Sequence, residues 1–170
     1  MTTVDAEPTI FMPATWEGVN RVLIECCTVS DSELCKSSVD SQGCYCVRTT
    51  KDDDFTLEST VLSVLALIAA VPDGIPITIW SGIPCTGGSP IQNANKDRPG
   101  FARRMAHHLR LWHKLVDSFV LCAQAVIAKG GYVVLEWPSR CRYWRHPKVV
   151  SLLSHASLGW QSGRVRACAF

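Results

Sequence analysis

The sequence has few charged residues and no long uninterrupted apolar segment. Charged residues make up 19% and hydrophobic residues 47% of its 170 positions. This excludes a disordered polar chain and indicates one domain with a core of ordinary size. The longest apolar run, residues 61–71, is broken by Ser63 and is shorter than the ~20 residues of a membrane span. We therefore expect no membrane partner.

The sequence also lacks several motifs that would point to a secreted protein or a familiar active site. No basic segment followed by an apolar one opens the chain, so the nine cysteines are expected to be reduced thiols in an intracellular protein. The Cys-Cys pair at 26–27 and the Cys-x-Cys at 44–46 differ from the Cys-x2-Cys pairs of structural zinc sites. We expect no metal. No phosphate loop, Ser-His-Asp order or paired-carboxylate hydrolase motif is present.

The charges are unevenly distributed along the chain, although the net charge is only +2. Thirteen of the seventeen Lys and Arg residues follow residue 95, and eleven of the fifteen Asp and Glu residues lie at or before Glu58. A basic second half favours an anionic partner, with nucleic acid as the first candidate. A solvated basic surface is the alternative.

Strand and helix patterns alternate along most of the chain. After an N-terminal arm (residues 1–20), apolar runs predict strands at 21–27, 43–50, 75–82, 132–137 and 164–170. Helical spacing predicts a helix capped by Thr56 and ended by residues 72–74, a long helix over 101–129 and a short one over 147–154. We expect one reduced, Rossmann-like α/β domain over residues 21–170, with a mostly parallel sheet and helices on both faces. The chain ends inside the last strand, which suggests a piece of a longer protein.

The residues that follow the predicted strands are the candidates for chemistry, because ligands of an open parallel sheet sit beyond its carboxyl ends. Pro84 fixes φ and would place the Cys85 thiol on a rigid turn. The glycines Gly87 and Gly88 permit close backbone approach of a ligand. Cys85 is thus a candidate nucleophile, with a structural cysteine beside a tight turn as the alternative.

Two motifs resemble those of the cytosine-C5 DNA methyltransferases. That family has a strand ending in Pro-Cys, then a helix, then a strand ending in Glu-Asn-Val. The chain has Pro84-Cys85-Thr-Gly-Gly-Ser89 and, 51 residues beyond Cys85, Glu136-Trp137-Pro138, in which only the Glu is kept. Residues 161–166, Gln-Ser-Gly-Arg-Val-Arg, loosely resemble the family's Gln-Arg-Arg. The family's glycine-rich cofactor loop is absent from residues 23–32.

The resemblance implies an S-adenosylmethionine-dependent enzyme that methylates cytosine C5 in DNA. Cys85 would attack C6 of a flipped-out base, and Glu136 would contact N3. A carboxylate that pairs with a nearby arginine is the alternative role for Glu136. The remaining implied residues form two groups: a loop closing on the base, Thr86, Gly87, Gly88 and Ser89, and a cofactor site, Glu25, Cys26, Ser30, Asp31, Asp52, Asp53 and Pro84.

Two basic segments are candidates for contacting nucleic acid. Arg103, His107, Arg110 and Lys114 recur at helical spacing and predict one basic stripe, with Arg98 and Arg104 nearby. Residues 140–146 interleave aromatic side chains with Arg140, Arg142 and Arg145, a composition suited to stacking on bases. Ordinary solvated surfaces are the alternative for both.

A second function from another class remains open at this point. Because the cofactor loop has no glycine, the chain could be a Rossmann-like nucleic-acid-binding or scaffold domain without methyl transfer.

Overall fold

The predicted α/β class is confirmed by a computed structural model of the chain, which describes residues 10, 12–35, 42–154, 161 and 163. The strands and α-helices, in chain order, are β1 (Arg21–Cys26), β2 (Cys44–Thr49), α1 (Glu58–Ala70), β3 (Ile77–Ser81), α2 (Phe101–Ala128), β4 (Tyr132–Leu135) and α3 (Pro147–Leu153). Short 3-10 helices lie at Glu33–Cys35, Pro90–Asn95 and Arg142–Arg145.

The four strands form one parallel sheet in the order β2-β1-β3-β4. In register, Cys26 lies beside Ser81, and Ser81 lies beside Leu135. The carboxyl ends of β1, β3 and β4 therefore lie side by side, as the apolar strands separated by helices predict. The chain leaves β1 for β2 on one side and returns to β3 on the other, so β1 and β3 flank a topological switch point, where open α/β sheets bind ligands.

Helix α2 has the apolar stripe that its sequence predicts, and a specific stop. Trp112, Phe119 and Val126 are buried on that stripe. At its end Gly130 has φ 72° and donates to Ile127 O, while the Gly131 N–H donates to Val126 O. These two bonds form a Schellman motif, in which glycine takes the left-handed conformation without strain. The predicted closure by Gly130-Gly131 is confirmed.

The described helices cover one face of the sheet. The steps from β2 to β3 and from β3 to β4 run in the same direction, so right-handed crossovers place α1 and α2 on one face, where they contact each other. In β1 and β3 the side chains that alternate toward that face are buried, whereas those of the other face are half-buried apart from Glu25. On the other face of the two outer strands, Tyr132 is exposed and Val134 half-buried, whereas Cys44 is buried. The expectation of helices on both faces is thus not met among residues 12–35 and 42–154, where the β1–β2 connection contributes only a three-residue 3-10 helix.

Some other expectations are corrected or lie outside the described residues. Helix α1 begins after Leu57 without a side-chain cap; Thr56 instead bonds to Asp54 Oδ1, so Thr56 is not the N-cap. The predicted strand 164–170 lies outside the described residues. Of the predicted arm, residues 10 and 12–20 are described, and they contain no helix or strand.

Helix α2 also has the length and mean hydropathy, 1.3 over its most apolar window, of a membrane-spanning segment. The core helix of a globular domain passes the same test. Here 44% of that window is buried, and the helix packs against α1, β3 and β4. This packing accounts for its apolar composition.

The burial of α1 predicts how two leucines in the same helix differ. Leu67 is 0% exposed and Leu62 is 56% exposed. Leu67→Ala is expected to lower the free energy of unfolding by about 2–5 kcal/mol, because it leaves a cavity in the core. Leu62→Ala should change it by about 0.5 kcal/mol or less. Urea unfolding followed by circular dichroism measures both, and equal losses would contradict the placement of α1.

Candidate functional site

The chain segments that follow β3 and β4 lie together at the carboxyl edge of the sheet. The buried Trp137 side chain donates its Nε1–H to Ile83 O at 2.7 Å. Ile83 is two residues before Cys85, and Trp137 directly follows Glu136. The structure therefore brings the two predicted chemical groups, the Cys85 thiol and the Glu136 carboxyl, to neighbouring segments of one edge.

Cys85 begins a tight turn. Its carbonyl oxygen accepts hydrogen bonds from the N–H groups of Gly88 and Ser89, both at 2.9 Å. The Cys85 side chain is half-buried and packs against the hydrophobic core. Ser89 then opens the 3-10 helix Pro90–Asn95, while Pro84 itself is exposed. The thiol is thus fixed by local backbone bonds and remains partly accessible.

The segment after β4 holds this turn in place, and its residues Trp137, Cys141, Arg142 and Tyr143 are called the clamp below. Arg142 donates from Nη2 to Gly87 O at 2.8 Å and from its backbone N–H to Gly88 O at 2.9 Å. A Cβ atom on Gly87 would collide with the Tyr143 hydroxyl, and one on Gly88 would lie 2.7 Å from Cys141 Sγ. Both glycines are buried. The close approach that they permit is made by Tyr143 and Cys141 of the same chain, and not by an outside ligand as the sequence suggested.

Tyr143 is the aromatic centre of the clamp. Its ring stacks on Trp112 of α2 at a centroid distance of 3.9 Å. Its hydroxyl is buried and has no hydrogen-bond partner among the described residues. Burial, together with the neighbouring Cys141 thiol, raises the pKa of Tyr143 to about 12. At neutral pH the phenol is therefore a protonated donor beside the Cys85 turn.

The Glu136 carboxyl is exposed. In the described residues no hydrogen bond or ion pair joins it to any arginine, so the structural alternative for Glu136 is not formed. The predicted contact of Glu136 with N3 of a base stays a prediction. The adjacent Trp137 turns into the core, which directs Glu136 away from it. The exposed carboxyl is available to a ligand at this edge.

At the carboxyl end of β1, Glu25 is a buried carboxylate with one free oxygen. Its Oε1 accepts from the Thr28 and Ser32 hydroxyls at 2.8 and 2.6 Å. Its Oε2 is buried and accepts no hydrogen bond from a described nitrogen or oxygen donor, and the Cys35 thiol lies beside the carboxyl. The next residue but one, Cys27, has φ 61°, a left-handed conformation that costs a non-glycine residue about 1–2 kcal/mol. The loop after β1 thus turns through a left-handed residue that is not glycine.

The other residues predicted to hold a cofactor divide into accessible and inaccessible ones. Cys26 is 0% exposed and packs in the core, so its assignment to a cofactor site is corrected. Asp53 is buried, and its Oδ2 accepts from the Thr50 N–H and hydroxyl at 2.7 and 3.0 Å; it closes the turn after β2. The remaining ones, Ser30, Asp31, Asp52 and Pro84, are exposed.

The predicted basic stripe is a solvent-exposed face of α2. Arg103, His107, Arg110 and Lys114 are all exposed, as the helical spacing requires. Arg140 is also exposed, whereas the Arg142 guanidinium is partly engaged by the clamp. Among the described residues no group of three or more His, Cys, Asp or Glu side chains could hold a metal ion.

Sequence reasoning missed the clamp. Trp137 and Tyr143 are the residues that hold the Cys85 turn, and Cys141 fills the space beside Gly88. Two features of the sequence could have indicated it: aromatic residues within a basic segment and a Gly-Gly pair. A Gly-Gly pair marks close approach without saying whose atoms approach.

Comparison of the chain with protein-family models, curated proteins and solved structures finds no match to any of them. Function must therefore be argued from the site itself.

The environments of the thiols predict which one reacts first. Burial raises the pKa of Cys27 to about 12 and also raises the pKa of Cys46; both stay protonated near pH 7.5, where a thiol is a poor nucleophile. Limiting iodoacetamide should therefore modify Cys85 before either of them in the folded protein. Cys85 is the only cysteine of the tryptic peptide 52–96, so mass spectrometry assigns it directly.

The control is the same reaction in urea, where labelling should become uniform. Modification of Cys27 or Cys46 ahead of Cys85 in the folded protein would contradict the accessible position of this thiol.

Proposed function

We propose that this chain is an S-adenosylmethionine-dependent methyltransferase-like domain that acts on cytosine C5 in nucleic acid, with DNA as the first candidate. The observation that carries the proposal is the position of Cys85. It is a partly accessible thiol on a clamped turn after β3, and a free carboxyl, Glu136, stands on the neighbouring segment after β4.

The order of the strands supports a Rossmann-like origin. The doubly wound dinucleotide-binding sheet has the order 3-2-1-4-5 in its first five strands. Without its third strand, and renumbered along the chain, that order becomes 2-1-3-4, the order of this sheet. In this reading Cys85 and Glu136 follow the two strands beyond the switch point, where the cytosine-C5 methyltransferases have their Pro-Cys and Glu motifs. The flavodoxin-like order 2-1-3-4-5 is compatible with the same sheet.

The reaction assigns one step to each group. The Cys85 thiolate adds to C6 of the flipped-out cytosine, which breaks the C5–C6 π bond and makes C5 nucleophilic. The Glu136 carboxyl donates a proton or hydrogen bond to N3, which absorbs the charge that develops on the ring. S-adenosylmethionine, when bound, would supply the methyl group to C5, and breaking its sulfonium C–S bond would release S-adenosylhomocysteine. Loss of the C5 proton to a base then expels Cys85 as thiolate and restores the C5–C6 double bond.

The cofactor's place would be at the carboxyl end of β1, and the fit rests on Glu25. Its buried, unpartnered Oε2 is an acceptor for an amine or hydroxyl donor, and such an orphaned oxygen costs about 1–3 kcal/mol unless it gains a partner. The exposed Ser30 and Asp31 would form the rim of this site, and Asp52 the side nearest β2.

A nucleic-acid-binding or scaffold domain without methyl transfer is the second candidate. It is favoured by the glycine-free loop after β1 and by the filling of the Gly87-Gly88 space by Tyr143 and Cys141. Under that function Cys85 would be a structural thiol on a tight turn.

The exposed stripe on α2 predicts a salt effect. If Arg103 and Arg110 contact phosphates, the Arg103→Ala/Arg110→Ala variant should reduce the log–log salt slope of oligonucleotide binding by about 1.4–1.8, since each lost contact removes about 0.7–0.9. Fluorescence anisotropy at several salt concentrations between about 50 and 200 mM provides the slope. Lys51→Ala, which removes an exposed cation from the turn after β2, is the control. An unchanged slope would show that the stripe is only a solvated face.

Covalent chemistry at Cys85 provides the decisive prediction. An oligonucleotide with 5-fluorocytosine should trap an adduct on peptide 52–96 in the presence of S-adenosylmethionine, because fluorine cannot leave C5 as a proton does. Cys85→Ser should abolish both the adduct and methyl transfer, since an alcohol is far less ionised near neutral pH. Glu136→Gln should slow methyl transfer by a factor within about 10²–10⁴. Mass spectrometry and methyl incorporation measure these effects.

Calorimetric titration with S-adenosylmethionine separates the two functions. The methyltransferase proposal requires binding, and Glu25→Gln should weaken it. If the folded protein binds no cofactor and forms no adduct, the proposal fails and the scaffold function stands.

A further inference from the structure

A polar cavity of about 180 Å³ lies directly beside the Cys85 turn. Its polar lining comes from the turn, the 3-10 helix that follows it, the connection to α2 and the start of α2: Thr86, Gln92, Asn95, Arg98, Arg104 and His108. The volume is below the 300–1,000 Å³ typical of sites for whole small molecules. The cavity therefore suits one small group and not an entire nucleotide.

The charges around the cavity are of one sign. Arg98 and Arg104 are permanent cations, and no Asp or Glu lines the space. Neither guanidinium forms an ion pair with a described residue. Arg104 Nη1 donates a hydrogen bond to Pro99 O at 2.9 Å, and the other guanidinium N–H groups of Arg104 donate to no described residue. Two guanidinium groups without counter-charge favour an anion with several acceptor oxygens, because their forked donors match carboxylate and phosphate.

Helix α2 contributes a further positive end to the same place. The helix begins at Phe101, which also lines the cavity, and its N-cap, Gly100, makes no side-chain cap bond. The Phe101 N–H donates to Arg98 O at 3.1 Å, so the free N–H groups of this helix end are those of Ala102 and Arg103. Such groups carry a partial positive charge that favours an anion. The arginines and the helix end therefore act on one space.

The amides of the lining complete the chemistry. Asn95 Nδ2 approaches Gln92 Oε1 at 3.5 Å, which leaves the second N–H of Asn95 and the amide N–H groups of Gln92 as donors. The Thr86 hydroxyl adds another donor one residue beyond Cys85. A tetrahedral anion with four oxygens can use such an array, whereas a planar apolar group cannot.

We propose that this cavity is a phosphate-binding site, formed by Arg98, Arg104 and the start of α2 beside the Cys85 turn. The site is separate from the exposed stripe, because Arg103, His107 and Arg110 do not line it. Its occupation by a phosphodiester next to the base that Cys85 attacks rests on the function proposed above; the phosphate site itself does not.

Inorganic phosphate is the probe for the site itself. Titration of the full chain, followed by calorimetry and phosphorus NMR, is expected to reveal saturable binding. Arg98→Gln should weaken it at least tenfold, and Arg98→Gln/Arg104→Gln should abolish it. Both arginines are exposed, so the variants should fold, and circular dichroism verifies this. Lys96→Ala is the matched control: it removes an exposed cation two residues from Arg98 that does not line the cavity, and it should bind phosphate as the wild type does.

A single-stranded oligonucleotide distinguishes the sources of the phosphate. Displacement of inorganic phosphate by the oligonucleotide, with a salt slope reduced by about 0.7 in Arg98→Gln and unchanged in Lys96→Ala, assigns the site to a nucleic-acid phosphodiester. Phosphate binding without displacement assigns it to a free phosphate. Equal loss of binding in Lys96→Ala and Arg98→Gln, or no saturable binding by the wild type, overturns the site.

The outcome is distinguishable from that of the methyl-transfer proposal. Arg98-dependent phosphate binding with no Cys85 adduct retains the phosphate site and rejects methyl transfer. A Cys85 adduct that forms at the same rate in Arg98→Gln/Arg104→Gln retains methyl transfer and rejects the phosphodiester as the occupant of the site; loss of Arg98-dependent binding of inorganic phosphate is what rejects the site itself.

Discussion

The packing of Tyr143 against Gly87 and Gly88 is the constraint on which the candidate site depends. These glycines leave no room for a side chain, because Tyr143 and Cys141 occupy the space where Cβ atoms would stand. Arg142 fixes the same backbone through two carbonyl groups. These contacts also fix the backbone of Cys85, which lies at the start of the turn. Under the proposed function, a thiol on a backbone held in this way would lose little conformational freedom when it meets a substrate, which favours attack.

Buried polar atoms without partners gather around the same edge. In the described chain these are Glu25 Oε2, Ser81 Oγ, Tyr143 Oη and Trp112 Nε1. The first two residues lie at the carboxyl ends of β1 and β3, and the last two form the stacked pair behind the Cys85 turn. Each such atom costs about 1–3 kcal/mol, and a fold has little reason to concentrate that cost unless a ligand or water satisfies it. The amino edge of the sheet has no such atom among the described side chains.

Periodicity was sufficient to predict the sheet, because its strands are apolar runs separated by helices with one apolar stripe. The order of Cys85, α2 and Glu136 along the chain then placed both groups at one edge without further information. The directions of the side chains could not be predicted from the same periodicity. Trp137 is buried and therefore turns Glu136 outward, a packing choice that residue type alone does not reveal. The contacts of the clamp could not be predicted either. Tyr143 and Gly87 are 56 positions apart in the sequence, and the residue types of the two segments do not indicate that they contact each other.

Helix α2 joins the core to the candidate chemistry. Its second half is buried against β3 and β4, and its first half carries Arg104 and His108 into the cavity and Trp112 under Tyr143. A shift of the helix along its axis would therefore change the cavity and the support of the clamp together. The buried second half resists such a shift, because close-packed side chains have no vacant space to move into. The apolar stripe thus does more than fill the core, because it sets the distance between the cationic cavity and the Cys85 thiol. Under the two proposals above, that distance would decide whether a phosphate and its neighbouring base can be held at once.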